Sequence, residues 1–359
     1  MALDSWTLRR SILEESESSL EDSTAFSFIG DEFAEVLKGT RGLRNLCNKK
    51  KLSDVRGDEP HDLSEVLSGA LYSVMVYIHE KLKAKYSKAR DRAKLAYPRS
   101  STSGMTLWAA ARRLKRMVFR ALDYLPPGEI SFVDYGRALI AVDEVAYLED
   151  ADKIRDRICE EFTSRCIVSS KSELELTAKF DDEFDEALKD IDVPTLHRSD
   201  YAAYEFSRKP KIRQLLCIPP DIRFEVRPRL HVIKKYDHNN VGQECIFKVS
   251  WEHEEDNPIG SGYPRKRRIT VGTTLVLGWE DGKGLALLTS SYLDARQRYD
   301  RDMFLSRLAQ EEILGVGRHA IGTDEQPLLS AVQATVADGV MRVRRTGKML
   351  HIIGKVQQT

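Results

Sequence analysis

The chain has 359 residues, 42% of them hydrophobic and 31% charged, with 56 Lys plus Arg balanced by 56 Asp plus Glu. That length fits two modest domains, each with its own core, better than one small compact domain. No apolar run approaches the roughly 18 residues that a membrane helix needs, and a balanced charge exerts no whole-chain pull toward nucleic acid or anionic lipid. Five cysteines, Cys47, Cys159, Cys166, Cys217 and Cys245, are odd in number, scattered and never spaced as CxxC. They argue against a disulfide framework and against a cysteine zinc site, and fit a reducing, cytoplasmic setting. The first thirty residues carry Asp4, Glu14, Glu15 and Glu21 and no secretory pattern.

From Trp6 to about Lys38 the apolar spacing predicts helix, interrupted by the polar stretch Glu15 to Thr24. Basic, Asn-containing sequence follows as far as Pro60. From Pro60 to about Lys94, Leu63, Val66, Leu67, Ala70, Leu71, Val74, Met75 and Ile78 recur at the helix period over a wide arc, which predicts a helix buried on most of its surface. A loop at Pro98 to Gly104 leads to a helix over Met105 to Leu122, stopped by Leu125-Pro126-Pro127-Gly128. Two more helices are predicted at Phe132 to Tyr147 and Ala151 to Phe162. A charged bridge follows, with one helix at Phe180 to Lys189. Beyond Pro220 the period falls to two: Phe224 to Tyr236, Glu244 to His253 and Arg268 to Thr289 predict strands, with Glu280 to Gly284 as a turn. A helix from about Asp294 to Leu314 and a last hairpin over Met341 to Val356, turning near Arg345-Thr346-Gly347, complete the chain. The expected fold class is α+β: a mainly α-helical N-terminal domain (1–165), a charged helical bridge (166–220) and a smaller α+β domain with an antiparallel sheet (221–359).

The segment richest in chemistry is Leu43-Arg44-Asn45-Leu46 followed by Pro60-His61-Asp62-Leu63-Ser64-Glu65-Val66-Leu67-Ser68-Gly69-Ala70-Leu71-Tyr72. On a helix, His61, Ser64, Ser68, Tyr72 and His79 fall on one stripe about 80° wide. Pro60 at the helix start puts His61 in the first turn, where unpaired N–H groups and the positive dipole end favour an anion over an imidazolium. A histidine so placed can stabilise an oxyanion. Packing or capping is the plainer account of any isolated histidine at a helix start. The small residues Ser64, Ser68, Gly69 and Ala70 let another backbone approach.

The pattern Pro-His-x-x-Ser-x-x-Leu-Ser-Gly-Ala-x-Tyr, preceded by Leu-Arg-x-Leu, resembles a block of the thermolysin-like (gluzincin) zinc metallopeptidases. The resemblance implies that the helical domain corresponds to the C-terminal lobe of such a peptidase. It implies that His61 donates a hydrogen bond to a tetrahedral intermediate, that Arg44 binds a substrate carbonyl, and that Ser64, Ser68 and Tyr72 line the substrate side. In the family an acidic residue orients that histidine; Asp58 and Asp54 are nearby, neither at the usual offset, and Asp58 takes the role here. The family's zinc motif is His-Glu-x-x-His, two histidines one turn apart with a carboxylate that activates the metal-bound water. This chain lacks it. Its nearest imitation, His79-Glu80-Lys81-Leu82-Lys83, replaces the second ligand with a cation. His61 and His79 lie about 27 Å apart along one helix and cannot share a metal.

A truncated or split peptidase-like protein is therefore expected, inactive alone, with zinc belonging to the resembled family and no cofactor bound by this chain. Its expected partners are a peptide or protein and a companion chain carrying the zinc site; the alternative is a non-catalytic peptide-binding or scaffold protein. Basic runs at Lys81 to Lys94, Arg112 to Arg116 and Arg265 to Arg268 read as solvated faces. With no aromatic stacking platform and no reader fold in view, nucleic acid is not expected as a partner, and neither is a membrane. His253 with Glu252, Glu254, Glu255 and Asp256 could attract a divalent cation, an acidic hairpin edge being the plainer account, and neither Gly260-Ser261-Gly262 nor Gly315-Val316-Gly317 carries phosphate-binding spacing.

Overall fold

The computed structural model describes residues 20, 28–29, 44–55, 60–93, 102–176, 182–189, 191–235, 241–260, 262–291, 294–310, 314–317 and 332–345. The helical expectation for Trp6 to Lys38 lies largely outside these residues. The chain is mixed α+β and divides into two compact units: Met1–Leu125 with Phe132–Lys179, and Pro126–Ser131 with Phe180–Thr359. The stretch expected as a bridge is thus shared, 166–179 going to the first unit and 180–220 to the second.

The first unit is a set of packed helices with a two-residue strand pair. Strands β1 (Phe28–Ile29) and β2 (Arg44–Asn45) run antiparallel, Ile29 opposite Arg44. Helix α1 (Pro60–Ala93) starts where proline's missing N–H costs nothing. Its predicted apolar arc is the packed one, with Val66, Ala70, Val74, Met75 and Ile78 buried. Helix α2 (Thr102–Tyr124) packs against α1 and α3 (Phe132–Ala146), and α4 (Ile154–Ser164) packs against α1. Leu107, Ala110, Met117 and Ala121 of α2, Ala138 and Leu139 of α3, and Ile158 and Phe162 of α4 complete the core. The first turn of α4 is held by the Asp150 carboxylate, which accepts from the Ile154 and Arg155 amides at 2.7 and 2.9 Å. Asp143 of α3 is buried against Arg113 of α2 at 2.9 Å, and burial raises its carboxyl above the ordinary carboxylate value against the pull of that guanidinium.

The second unit is built on one mostly antiparallel sheet. Its strands are β3 (Phe224–Val226), β4 (Leu230–Lys235), β5 (Val241–Asp256), β6 (Lys266–Gly278), β7 (Gly284–Thr289), β8 (Leu314–Gly317), β9 (Val332–Ala337) and β10 (Val340–Arg345). They run in the order β3-β5-β6-β10-β9-β8, with β4 also on β5 and β7 also on β6. The β5–β6 pair is the spine, in register from Glu244 opposite Gly278 to Asp256 opposite Lys266. The stretch expected as one strand from Phe224 to Tyr236 is two, β3 and β4, because Pro228 between them has no amide to give the ladder. On β6, burial alternates up to Ile269 and becomes continuous from Val271, as a strand covered on both faces requires.

Part of that cover comes from short helices within the stretch expected as a bridge. Helix α5 (Asp182–Leu188) matches the predicted one; α6 (Val193–Arg198), α7 (Asp200–Arg208) and α8 (Pro210–Leu215) are additional. Leu196, Ala203, Phe206, Ile212 and Leu216 are buried, Phe206 meets Phe247 of β5 edge to face at 5.4 Å, and the Thr273 hydroxyl donates to the Leu216 carbonyl at 2.7 Å. Helix α9 (Ala295–Gln310) contributes Leu305 to a cluster with Ile259, Ala334 and Met341. Buried ion pairs join strands and helix: Lys234 to Glu244 at 2.9 Å, and Arg267 to both Glu255 and Asp302.

The described residues end in a hairpin that the sequence reading did not anticipate. It pairs β9 with β10 around Asp338-Gly339, both at positive φ, the conformation that a two-residue turn needs. The first arm of the hairpin expected from Met341 coincides with β10, which ends at Arg345 opposite Val332; its turn beyond Arg345 and its second arm, residues 346–359, lie outside the described residues.

Candidate functional site

The segment that carries the peptidase resemblance is fastened to α1 by one polar clamp. Asn48 is its centre. The Asn48 side-chain amide donates to the Asn45 carbonyl at 2.6 Å and to the Glu65 carbonyl on α1 at 3.1 Å. Its side-chain oxygen accepts from the Lys50 amide at 3.0 Å and from Arg165 Nη1 at 3.0 Å. Arg165, just beyond the end of α4, is buried; it also donates to the Lys50 carbonyl at 3.1 Å and to Glu161 at 3.2 Å, and its own carbonyl accepts from the Leu52 amide at 2.8 Å. A guanidinium offers five donors in a rigid fork, which is why one side chain can tie a whole loop.

Gly69 makes the approach possible. A Cβ at Gly69 would lie 2.7 Å from both Arg165 Nη1 and the Asn48 side-chain oxygen. Outside the clamp, Lys50 forms ion pairs with Glu65 and, at 3.4 Å, with Asp62; the Glu65 hydrogen bond is the main reason its ammonium is held above the ordinary lysine value.

The predicted site residues are distributed around this clamp. Arg44 lies in β2, which packs on α1, and His61 lies in the first turn of α1, one turn before Glu65. The side chains of both, and the whole of Asp58, lie outside the described residues. Ser64 and Ser68 are half-buried, and the Ser68 hydroxyl lies 3.4 Å from the Glu65 carbonyl of its own helix. Tyr72 is buried and its hydroxyl donates to the Leu20 carbonyl at 3.1 Å. The stripe therefore changes character along α1, from half-buried at Ser64 and Ser68 to packed at Tyr72 and His79. Sequence reasoning missed Asn48 and Arg165, which lie 117 positions apart, so no local pattern joins them.

His79 bears on whether the residues suit zinc. It is fully buried, with Nδ1 3.3 Å from the Thr106 hydroxyl, and desolvation, reinforced by Lys83, lowers its pKa to about 4. One turn further on stands the Lys83 ammonium, 3.6 Å from Glu80. A cation in the second ligand position does not fit a divalent metal, and no group of three or more His, Cys, Asp or Glu able to hold one occurs among the described residues. No helix among the described residues is long and apolar enough to cross a membrane.

No family model matches the chain, and neither a curated protein nor a solved structure is significantly similar to it.

Proposed function

We propose that the first unit is a peptide-binding module descended from the substrate side of a thermolysin-like peptidase, and that this chain alone holds peptide without cutting it. The observation that carries the reading is the Asn48–Arg165 clamp, which fixes the backbone leaving β2 against the second and third turns of α1. In this reading Arg44 and His61, on those two elements, grip one extended main chain: a guanidinium for a carbonyl, and an imidazole at a helix N-terminus for the oxygen next to it. The resemblance would give Asp58 the task of orienting the imidazole, and the half-buried Ser64 and Ser68 leave room for the peptide backbone. Hydrolysis would need a companion chain to bring the metal and its carboxylate base, because the chain has no His-Glu-x-x-His. The cysteines suit a reducing cytoplasm.

The test is fluorescence anisotropy of labelled casein-derived peptides against the full chain, with cleavage followed by mass spectrometry. Micromolar binding without cleavage is expected, weakened roughly tenfold by Arg44→Ala, since a charged hydrogen bond is worth about 1.5–3 kcal/mol. Binding indifferent to both Arg44→Ala and His61→Ala would remove the reading and leave a scaffold role that does not use these residues.

A further inference from the structure

The second unit carries a surface that the peptidase resemblance does not cover. Helix α7 is nine residues long and buries Ala203, Phe206 and Ser207. Its opposite face presents Tyr201, Tyr204 and Arg208 at positions i, i+3 and i+7, which align on one stripe. Tyr201 is 76% exposed and Tyr204 44% exposed. Tyr204 stacks on Phe224 of β3, with ring centroids 5.3 Å apart and planes 19° from parallel. Two guanidinium groups add to this stack, Arg208 at 5.7 Å from the Tyr204 ring and Arg213 at 5.6 Å from the Phe224 ring. Arg213 is itself fixed, donating to the Pro219 carbonyl and, at 2.9 Å, to the Ile222 carbonyl.

The charge around this platform is one-sided, although the whole chain is neutral. Between residues 196 and 229 stand eight Lys or Arg and four Asp or Glu. Three of those acids are neutralised in place, Asp200 by Arg229, Glu205 by Arg208 and Glu225 by Arg227. Arg198, Lys209, Lys211 and Arg223 are exposed and form no ion pair among the described residues.

An exposed ring one helical turn from a stacked, guanidinium-backed ring, with four exposed cations close by in the chain, matches what a flexible polyanion with flat bases requires. Tyr201 and Tyr204 are separated by about 4.5 Å of helical rise, so the exposed ring stands just under one turn from the stacked pair. A folded acidic protein would use the cations but leave the rings unexplained. A duplex would hide its base faces from Tyr201. We propose that the α7–β3 face binds single-stranded nucleic acid, Tyr201 stacking on a base beside the Tyr204–Phe224 stack and Arg198, Lys209, Lys211 and Arg223 contacting phosphates. The sequence argument against a nucleic-acid partner rests on the lack of an aromatic platform and of a reader fold; folding places the exposed Tyr201 ring beside the Tyr204–Phe224 stack and leaves the second ground standing.

The test uses the full chain with fluorescein-labelled 12-nucleotide single-stranded RNA, single-stranded DNA and a duplex of the same sequence, titrated from roughly 50 to 200 mM NaCl. Single strands are expected to bind better than duplex, the RNA and DNA arms deciding which sugar is preferred. Affinity should fall with salt. The Tyr201→Ala variant, at an exposed position that leaves the core intact, should weaken single-strand binding roughly tenfold, while Tyr201→Phe should retain it. The Lys209→Gln/Lys211→Gln pair should flatten the salt dependence by about one phosphate contact or more. Absence of single-strand binding at roughly 50 mM salt would overturn the proposal, as would equal affinity for duplex or for a poly-glutamate chain, or binding unmoved by Tyr201→Ala.

Discussion

At position 69 even one methyl group is too much, because it would meet Arg165 and Asn48 at 2.7 Å. Gly69→Ala should therefore destabilise the first unit by about 1–3 kcal/mol despite alanine's better helix propensity, read as a lower urea midpoint. Arg165→Ala removes the fork from the other side, leaving the Asn48 oxygen with only the Lys50 amide and Glu161 with only Arg157; a loss of about 2–3 kcal/mol is expected. His79 supplies a pH signature. Its imidazole has a pKa of about 4 when folded and about 6.5 when exposed, so the unfolded chain binds the proton first as pH falls. Stability from this residue is complete above about pH 6.5 and is lost between there and about pH 4, amounting to about 3 kcal/mol. The difference in urea midpoint between the native chain and a His79→Gln variant should shrink over that interval. These residues also mark how far the sequence can be read. The periodic stripe places His61, Ser64, Ser68, Tyr72 and His79 on one side of a helix, but periodicity is blind to what packs there, and at Tyr72 and His79 other residues do.

At the scale of elements, α1 to α4 are legible because each combines a long apolar stripe with a proline, serine or aspartate boundary. Helices α6 to α8 are not, for an identifiable reason. Pro194 and Pro210 read as breakers but stand in the first turns of α6 and α8, where a proline starts a helix. The β9–β10 hairpin is an addition to the sequence expectation, and its signal is Asp338-Gly339, a two-residue turn with both residues at positive φ. Backbone shape carries function here too. Gly128 has φ +120° and lies against the Thr270 carbonyl of β6, so residues 126–131 join the sheet only if that position lacks a side chain. Gly128→Ala should cost the second unit about 2–3 kcal/mol, from strain and displacement together. On β4 and β5 the buried Lys234–Glu244 pair predicts a similar sensitivity: Glu244→Gln removes the carboxylate charge opposite a buried ammonium and should cost about 3–5 kcal/mol, seen in thermal unfolding.

Over the whole molecule the α+β class follows from a change of hydrophobic period near Pro220, and the structure keeps that change while moving the division between compact units to residue 180. The border was hidden because contact across a sheet face, not composition, assigns residues 193–216 to the second unit. Whole-chain neutrality likewise concealed a local basic surface, since a summed charge carries no information on where charges gather. The peptide reading belongs to the first unit and the nucleic-acid proposal to the second, so each stands or falls on its own variants. The most direct measurement of the central claim combines metal analysis with titration of a casein-derived peptide on the purified full chain. Micromolar binding that weakens with Arg44→Ala and His61→Ala, with no stoichiometric zinc and no cleaved product, is the predicted result; tightly held zinc at one equivalent together with casein cleavage would contradict it.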